Sequence, residues 1–258
     1  MKDLTHKVCD IARKAGAYLL EERKHFSEDK IEQKHAHDYV SYVDKSSEAI
    51  IVAALKEILP EAGFLTEEGS ATHEQEPCWW VIDPLDGTTN YVHGFNPFAV
   101  SIALRNEREI LLGVVYEATL DECFYAYKGG GAWLNGTPIH VNDHHQIDQA
   151  LLGIELPYDS NRYKDTALKL IRHFFGYCGG IRMNGSAAAA ICNVATGRWD
   201  GWLERYIGQW DYMAAAIILQ EAGGRVTDFD GNDFFLNDNH IVASNGTIHN
   251  ELLQALKI

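Results

Sequence analysis

Apolar positions near the start of the chain return at helical spacing. Leu4, Val8, Ile11, Ala15 and Leu19 fall on one stripe with charged residues opposite, which predicts an amphipathic helix over about residues 4–25. A short strand is expected at 30–34. The polar run 34–44 reads as a loop that leads into a second helix, with Ile50, Ile51, Ala54, Leu55 and Ile58 on its apolar face and Pro60 just beyond its end. From Gly63 the pattern shortens to strands. Gly63-Phe64-Leu65 stops at Thr66-Glu67-Glu68, and after a polar loop the run Trp79 to Ile82 is apolar at every position, as in a strand buried on both faces. Strands follow at 98–104, 110–116, 123–127 and 132–134, and Asn135-Gly136 marks a tight hairpin.

The polar stretch 141–149 is the best internal boundary, dividing the chain into halves at 1–142 and 143–258. Beyond it the pattern predicts a strand at 151–156, helices at 163–175 and 186–196, and a strand at 201–204. A helix at 210–222 follows, stopped by Gly223-Gly224, then strands at 225–228 and 241–244 and a last helix ending at Leu256. Strands and helices are thus mixed through both halves, with no internal repeat.

Charge narrows the function. A net charge of −15 disfavours nucleic acid as a direct partner, because phosphate backbones bind Lys/Arg surfaces. No stretch of about 18 apolar residues predicts a membrane span, and Met1 to Lys7 lacks the apolar core of a signal peptide. Five scattered cysteines without a C-x-x-C pair fit a reduced, cytoplasmic chain better than a disulfide scaffold.

The chemistry centres on Trp80-Val81-Ile82-Asp83-Pro84-Leu85-Asp86-Gly87-Thr88-Thr89-Asn90. An apolar strand ends here in two carboxylates three residues apart. Pro84 removes a backbone donor and turns the chain out of the sheet. Asp86-Gly87-Thr88 then reads as a helix start with Asp86 at the N-cap and Gly87 allowing close approach to a ligand. Asp-Pro or Asp-Gly alone would be an ordinary surface turn. The buried strand before them and Thr-Thr-Asn after them favour a site instead. Hard carboxylates suit Mg²⁺ and free N–H groups suit phosphate, so the pair points to metal-assisted phosphate chemistry. Bound cations would also reconcile an acidic protein with an anionic ester.

Other candidates have bland readings on their own. Glu67 ends one strand as Asp83 ends another, yet Glu67-Glu68 also reads as a solvated acidic pair. Asp211 after Trp210, and Asp44, are each plausible helix N-caps; Lys34 is plausible as a solvated lysine; Glu204 could pair with Arg205 on the surface. Gly129-Gly130-Gly131 lacks the Lys-Ser/Thr of a P-loop, and His140, His144 and His145 lie in a polar linker with no cysteine partner.

Taken together, Asp83-Pro84-Leu85-Asp86-Gly87-Thr88-Thr89-Asn90 resembles the signature of the inositol monophosphatase family, Mg²⁺-dependent and lithium-sensitive sugar phosphatases. Lys34, the D-x-V-S-x-x-D run from Asp38 to Asp44, Glu67, Gly185 to Ala187, Glu204 and Trp210-Asp211 occur in that family's order. The resemblance implies an α/β fold of mixed α+β type, a layered αβαβα sandwich, with the site between the two halves. It implies two Mg²⁺ ions, with a third near Glu67 in the family, held by Glu67, Asp83, the Leu85 carbonyl, Asp86 and Asp211. Asp44 and Thr88, with Glu67, would activate the attacking water. Lys34, Asp86, Gly87, Thr88, Gly185, Ser186, Ala187, Glu204 and Asp211 would contact the substrate. The implied reaction is hydrolysis of an inositol monophosphate or another sugar or polyol phosphate by a homodimer. Sister activities on fructose bisphosphate, histidinol phosphate or a 3′-phosphonucleotide remain open, as does a regulatory binding protein on the same fold. Thr66 in place of a small glycine, and the bulky Arg205-Tyr206, are departures that bear on substrate breadth.

Overall fold

The computed structural model describes residues 1–26, 31–35, 38–72, 76–156, 160–233 and 235–257, and for 31–35, 38–41 and 160–163 the backbone alone. Helix α1 (Lys2–Arg23) and helix α2 (Tyr42–Ile58) pack together on one face of a seven-stranded sheet. Between them β1 (Ile31–His35) and β2 (Asp38–Ser41) pair as an antiparallel ribbon. The large sheet runs β3 (Gly63–Thr66), β4 (Trp79–Asp86), β5 (Ala99–Arg105), β6 (Ile110–Glu117), β7 (Glu122–Tyr127), β8 (Ala132–Leu134), β9 (Thr137–Ile139) in spatial order. Only β3 and β4 are parallel neighbours in it. A five-residue helix, α3 (Thr88–Val92), follows β4.

The second sheet has the order β11 (Gly180–Arg182), β10 (Leu151–Ile154), β12 (Gly201–Arg205), β14 (His240–Ser244), β13 (Arg225–Asp228). Helices α5 (Ala187–Ala195) and α6 (Gln209–Glu221) lie between the two sheets, while α4 (Ser160–Phe174) and α7 (His249–Ala255) cover the far face of the second. The result is the αβαβα sandwich.

The apolar run in β4 is explained by this layering. Trp79 and Val81 face the middle core with α5 and α6, whereas Trp80 and Ile82 face the outer core with α1 and α2. A strand covered on both sides has no polar face to show. For the same reason α6 is apolar all round, with 212–219 buried. Its small residues let it approach β6 closely: a Cβ on Gly113 would collide with the Ala214 backbone.

Three expectations are corrected. Within 34–44, residues 38–41 form a strand paired with 31–35 rather than a loop, and α2 begins at Tyr42, so Asp44 sits in its first turn. β4 does not leave the sheet at Pro84. A bulge between Asp83 and Asp86 lets it pair with β5 again at Ala99. Asp86 is not the cap of α3, whose N-cap is Gly87 at φ 92°. At the hairpin between β8 and β9, Asn135 and Gly136 both have positive φ, as the dipeptide predicts.

His249, at the start of α7, is fully buried between β13 and β14. Ser244 Oγ lies 2.8 Å from Nδ1 and Thr227 Oγ1 2.9 Å from Nε2. Thr227 donates its proton to the Asp228 carbonyl and Ser244 accepts from the Gly246 N–H. A neutral ring that donates from Nε2 to Thr227 and accepts the Ser244 hydroxyl at Nδ1 satisfies all of these contacts. Burial first, and then the Arg225 charge, push its pKa down from 6.5 to about 4. Below pH 6.5 the unfolded chain binds a proton that the folded chain refuses, so this residue makes stability fall as pH drops. Between pH 7 and 4 the loss should reach roughly 3 kcal/mol. Chemical denaturation of wild type and His249→Gln across that range should show a shallower decline in the variant; parallel curves would contradict the assignment.

Candidate active site

The parallel pairing of β3 with β4 brings the first carboxylates together. Thr66 is in register with Ile82, and the Glu67 N–H donates to the Ile82 carbonyl at 3.1 Å, so Glu67 stands beside Asp83 at one sheet edge. The bulge that follows is held by its own first residue: Asp83 Oδ1 accepts the Leu85 N–H at 2.8 Å. From the α2 side, Ser47 Oγ donates to the Pro84 carbonyl at 3.1 Å. Both aspartates of the bulge are buried.

Asp86 reaches across to the middle layer. It accepts the Ser186 hydroxyl at 2.5 Å, the Ala188 N–H at 2.8 Å and the Ala187 N–H at 3.2 Å. It thus satisfies the first turn of α5, a hundred residues further along the chain. Asp211, in the first turn of α6, completes the group. One of its oxygens accepts the Gly208 N–H at 2.6 Å, so a capping role is real as well. Each of Asp83, Asp86 and Asp211 offers an oxygen, and these atoms lie within 4.8 Å of one another.

Such crowding is costly. Burial, followed by the charges of Glu67, Asp86 and Asp211, raises the Asp83 carboxyl well above its usual range. Burial raises Asp86 to about 6 against the opposing pull of its Ser186, Ala188 and Ala187 donors. Converging hard oxygens that repel one another are a set that a hard divalent cation would relieve. The donor atoms therefore fit Mg²⁺, and none of them is a soft sulfur or an imidazole nitrogen.

Thr88 sits at the first turn of α3. Its hydroxyl lies 3.1 Å from Asp44 Oδ1 and 2.9 Å from the Leu85 carbonyl, a single proton between two acceptors. Gly87 is fixed by space as well as by its φ of +92°, since a Cβ there would be 3.0 Å from the Pro97 carbonyl and 3.1 Å from that of Gly185. Asn90 Nδ2 ties the same two segments, donating to Pro97 at 2.8 Å and to Asn184 at 2.7 Å.

These groups line one cleft of about 230 Å³, together with Gly185, Ser186, Ala187 and Glu204. The structure thus brings together Glu67, Asp83, Leu85, Asp86, Gly87, Thr88, Gly185, Ser186, Ala187, Glu204 and Asp211, with Asp44 directly behind Thr88. The side chains of Lys34 and Asp38 lie outside the described residues. Glu204 faces the cleft, and Arg205 stacks over Phe229 at 4.6 Å. Burial, then Glu155, Asp211 and Asp86, raise the Glu204 carboxyl well above its usual range. His144 is engaged elsewhere, 2.7 Å from the buried Asp200.

Two acidic residues were not expected here. Glu155, just after β10, lines the cleft and is raised by burial to about 7. Its sequence signal was the one that marked Asp83, a carboxylate closing an apolar run. Glu48, one helical turn after Asp44 on α2, is fully buried and accepts the Glu68 N–H at 2.8 Å and the Ser70 N–H at 2.9 Å. It holds the turn that carries Glu67.

Comparison with known proteins agrees with this geometry. The profile of the inositol monophosphatase family matches residues 1–258. An inositol-1-monophosphatase of Mesorhizobium japonicum is 36% identical over 255 residues, 98% of this chain and 96% of that protein. The protein of Pseudomonas aeruginosa named Nus factor SuhB is 38% identical over 251 residues, 95% and 93% of the two chains. Among solved structures, the extragenic suppressor protein SuhB of Bartonella henselae superposes with a TM-score of 0.93 at 34% identity, covering 99% of this chain and 98% of that one. The inositol monophosphatase of Anabaena gives 0.89 at 35% identity, covering 99% and 96%. With its fold, its carboxylate cluster and its full length accounted for, the chain belongs to the inositol monophosphatase family.

Proposed function

We propose that this protein is a Mg²⁺-dependent phosphatase that hydrolyses the phosphate monoester of inositol monophosphates. The observation that carries the reading is the convergence of Asp83, Asp86 and Asp211 beside the Thr88–Asp44 pair. Glu67, Asp83, the Leu85 carbonyl, Asp86 and Asp211 would hold the ions. When bound, Mg²⁺ would supply Lewis acidity toward the attacking water and the leaving oxygen.

The chain's own groups do the rest. Thr88 Oγ is the proton acceptor for the attacking water, passing its own proton to Asp44 as it does so. Glu67 orients that water. The Gly87 and Thr88 N–H groups hold phosphate oxygens, and Lys34 adds its charge to them. Gly185, Ser186 and Ala187 form the wall on the alcohol side, with the Ser186 hydroxyl already committed to Asp86. Glu204 accepts hydrogen bonds from ring hydroxyls. The 1–142 and 143–258 halves are the natural units of this reading, the first carrying most metal ligands and the second Asp211 and Glu204. Five free thiols are in keeping with a reduced, cytoplasmic setting.

A second reading has its own support: relatives 35–38% identical carry the name Nus factor SuhB. Under it the fold would act by binding a regulatory partner. The charge of −15 favours a protein over nucleic acid as that partner. Retention of the full carboxylate set favours catalysis, since a scaffold has no use for carboxyls that repel one another.

The deciding experiment is phosphate release from inositol 1-phosphate and a panel of sugar and nucleotide monophosphates, with Mg²⁺ and with chelator. Release that depends on Mg²⁺ and is inhibited by millimolar Li⁺ is expected; no release from any ester would overturn the reading. Mg²⁺ should also raise the thermal midpoint, corresponding to about 2.7 kcal/mol per site at about 100-fold over its dissociation constant. Asp83→Asn should lose that gain. Thr88→Ala should keep it yet turn over roughly 10²-fold more slowly. Full activity in Thr88→Ala would reduce the pair with Asp44 to a structural tie.

A further inference from the structure

Glu155 and Glu204 repeat, in the second sheet, the arrangement of Glu67 and Asp83 in the first. β10 and β12 are parallel neighbours with Ile154 in register with Leu203, and the Glu155 N–H donates to the Leu203 carbonyl at 3.2 Å. The next pair in register is Glu155 with Glu204. Residues in register on parallel strands project from the same face, so both carboxylates enter the cleft side by side.

Their partners are fewer than their oxygens. Glu155 Oε1 accepts the Asn184 N–H at 2.7 Å and the Gly185 N–H at 3.3 Å. No described residue donates to its other oxygen or to the Glu204 carboxylate, and no described lysine, arginine or histidine lines the cleft. Holding Asn184 and Gly185 needs only one neutral acceptor. Its second oxygen, beside those of Glu204, has no structural use that a glutamine would not serve.

We propose that Glu155 is a specificity-determining residue that acts with Glu204 on the leaving alcohol. The pair requires an alcohol that brings several hydrogen-bond donors, neighbouring hydroxyls or an ammonium group, and rejects one that carries a second phosphate or a carboxylate. This rests on the phosphatase reading and narrows it. Neutral polyol monophosphates and amino-alcohol phosphates fit, because carboxylate oxygens accept from O–H and N⁺–H alike. A bisphosphate brings its second anionic group against two acidic side chains, and no described basic side chain lines the cleft to offset the repulsion.

The test measures kcat/KM with Mg²⁺ for inositol 1-phosphate, fructose 1,6-bisphosphate and phenyl phosphate. Wild type should favour the inositol ester over the bisphosphate by at least about 30-fold. Glu155→Gln keeps an acceptor for Asn184 and removes the ionisable carboxyl. It should lower kcat/KM for the inositol ester about 10-fold, chiefly through KM, raise it about 10-fold for the bisphosphate, and leave phenyl phosphate, whose alcohol brings no further donor, within about 3-fold. Equal losses on all three esters would show that Glu155 only holds the 184–185 turn, and would overturn the proposal. If the variant does not fold, the wild-type ratio decides, and a bisphosphate hydrolysed as readily as the inositol ester sinks it. Hydrolysis of none of the three by wild type would instead defeat the phosphatase reading on which the proposal stands.

Discussion

The bulge at Asp83–Asp86 is the constraint from which the rest of the site follows. A strand that pairs continuously would send alternate side chains to opposite cores, and neither core can hold a lone carboxylate. Inserting residues between the Asp83–Ser101 and Asp86–Ala99 pairs turns both aspartates to the sheet edge while β4 stays in the sheet. Asp83 closes the turn with its own oxygen, and Ser47 on α2 steadies the Pro84 carbonyl. Asp86 then reaches α5, so one short segment of β4 is tied to both helical layers.

That tie also fixes how the two sheets meet. Ser101 Oγ on β5 donates to the Trp210 carbonyl at 2.9 Å, anchoring the start of α6 on the large sheet next to Asp211. Arg105, buried on the same strand, donates to the Leu236 carbonyl at 2.8 Å and stacks over Trp79 at 4.8 Å. Close contact of α6 with β6 is possible only because Gly113 has no side chain. Asp211 is therefore placed by packing over most of a layer, and its distance from Asp83 is not free to drift. Preorganisation of this kind keeps repelling carboxylates converged.

Much of this was legible in the sequence, for a physical reason. Glu67 and Asp83 each end an apolar run, and two such runs as parallel neighbours must bring their terminal carboxylates together. Elements with strong periodicity, such as α1 and the strands of the large sheet, were equally plain. What escaped were arrangements set by distant partners. Asp86 looked like the cap of the helix next to it, but its donors are on α5. The pairing of β1 and β2 hid in a polar stretch, because a two-stranded ribbon needs no alternating apolar face. Glu155 carried the same signal as Asp83 but was absorbed into a strand drawn through to Leu156. Asp211 shows that competing readings need not exclude each other, since it caps α6 with one oxygen and faces the cleft with the carboxylate group.

The acidity of the cleft bears on stability as well as chemistry. Glu67, Asp83, Asp86, Glu155, Glu204 and Asp211 all line it, and the shifts of Asp83 and Glu204 record how strongly burial and mutual repulsion oppose their ionisation. A sequence selected for stability alone would place neutral groups at several of these positions. Cations at the Asp83 end would relieve four of the six charges. Among the described residues no basic side chain lines the Glu155–Glu204 end of the cleft, and the groups that could engage its oxygens are donors on a ligand. The cleft is thus divided by charge into a part that calls for metal and a part that calls for the substrate's own hydroxyl or ammonium protons. An ester bound with its phosphate at the first and its alcohol at the second would satisfy both.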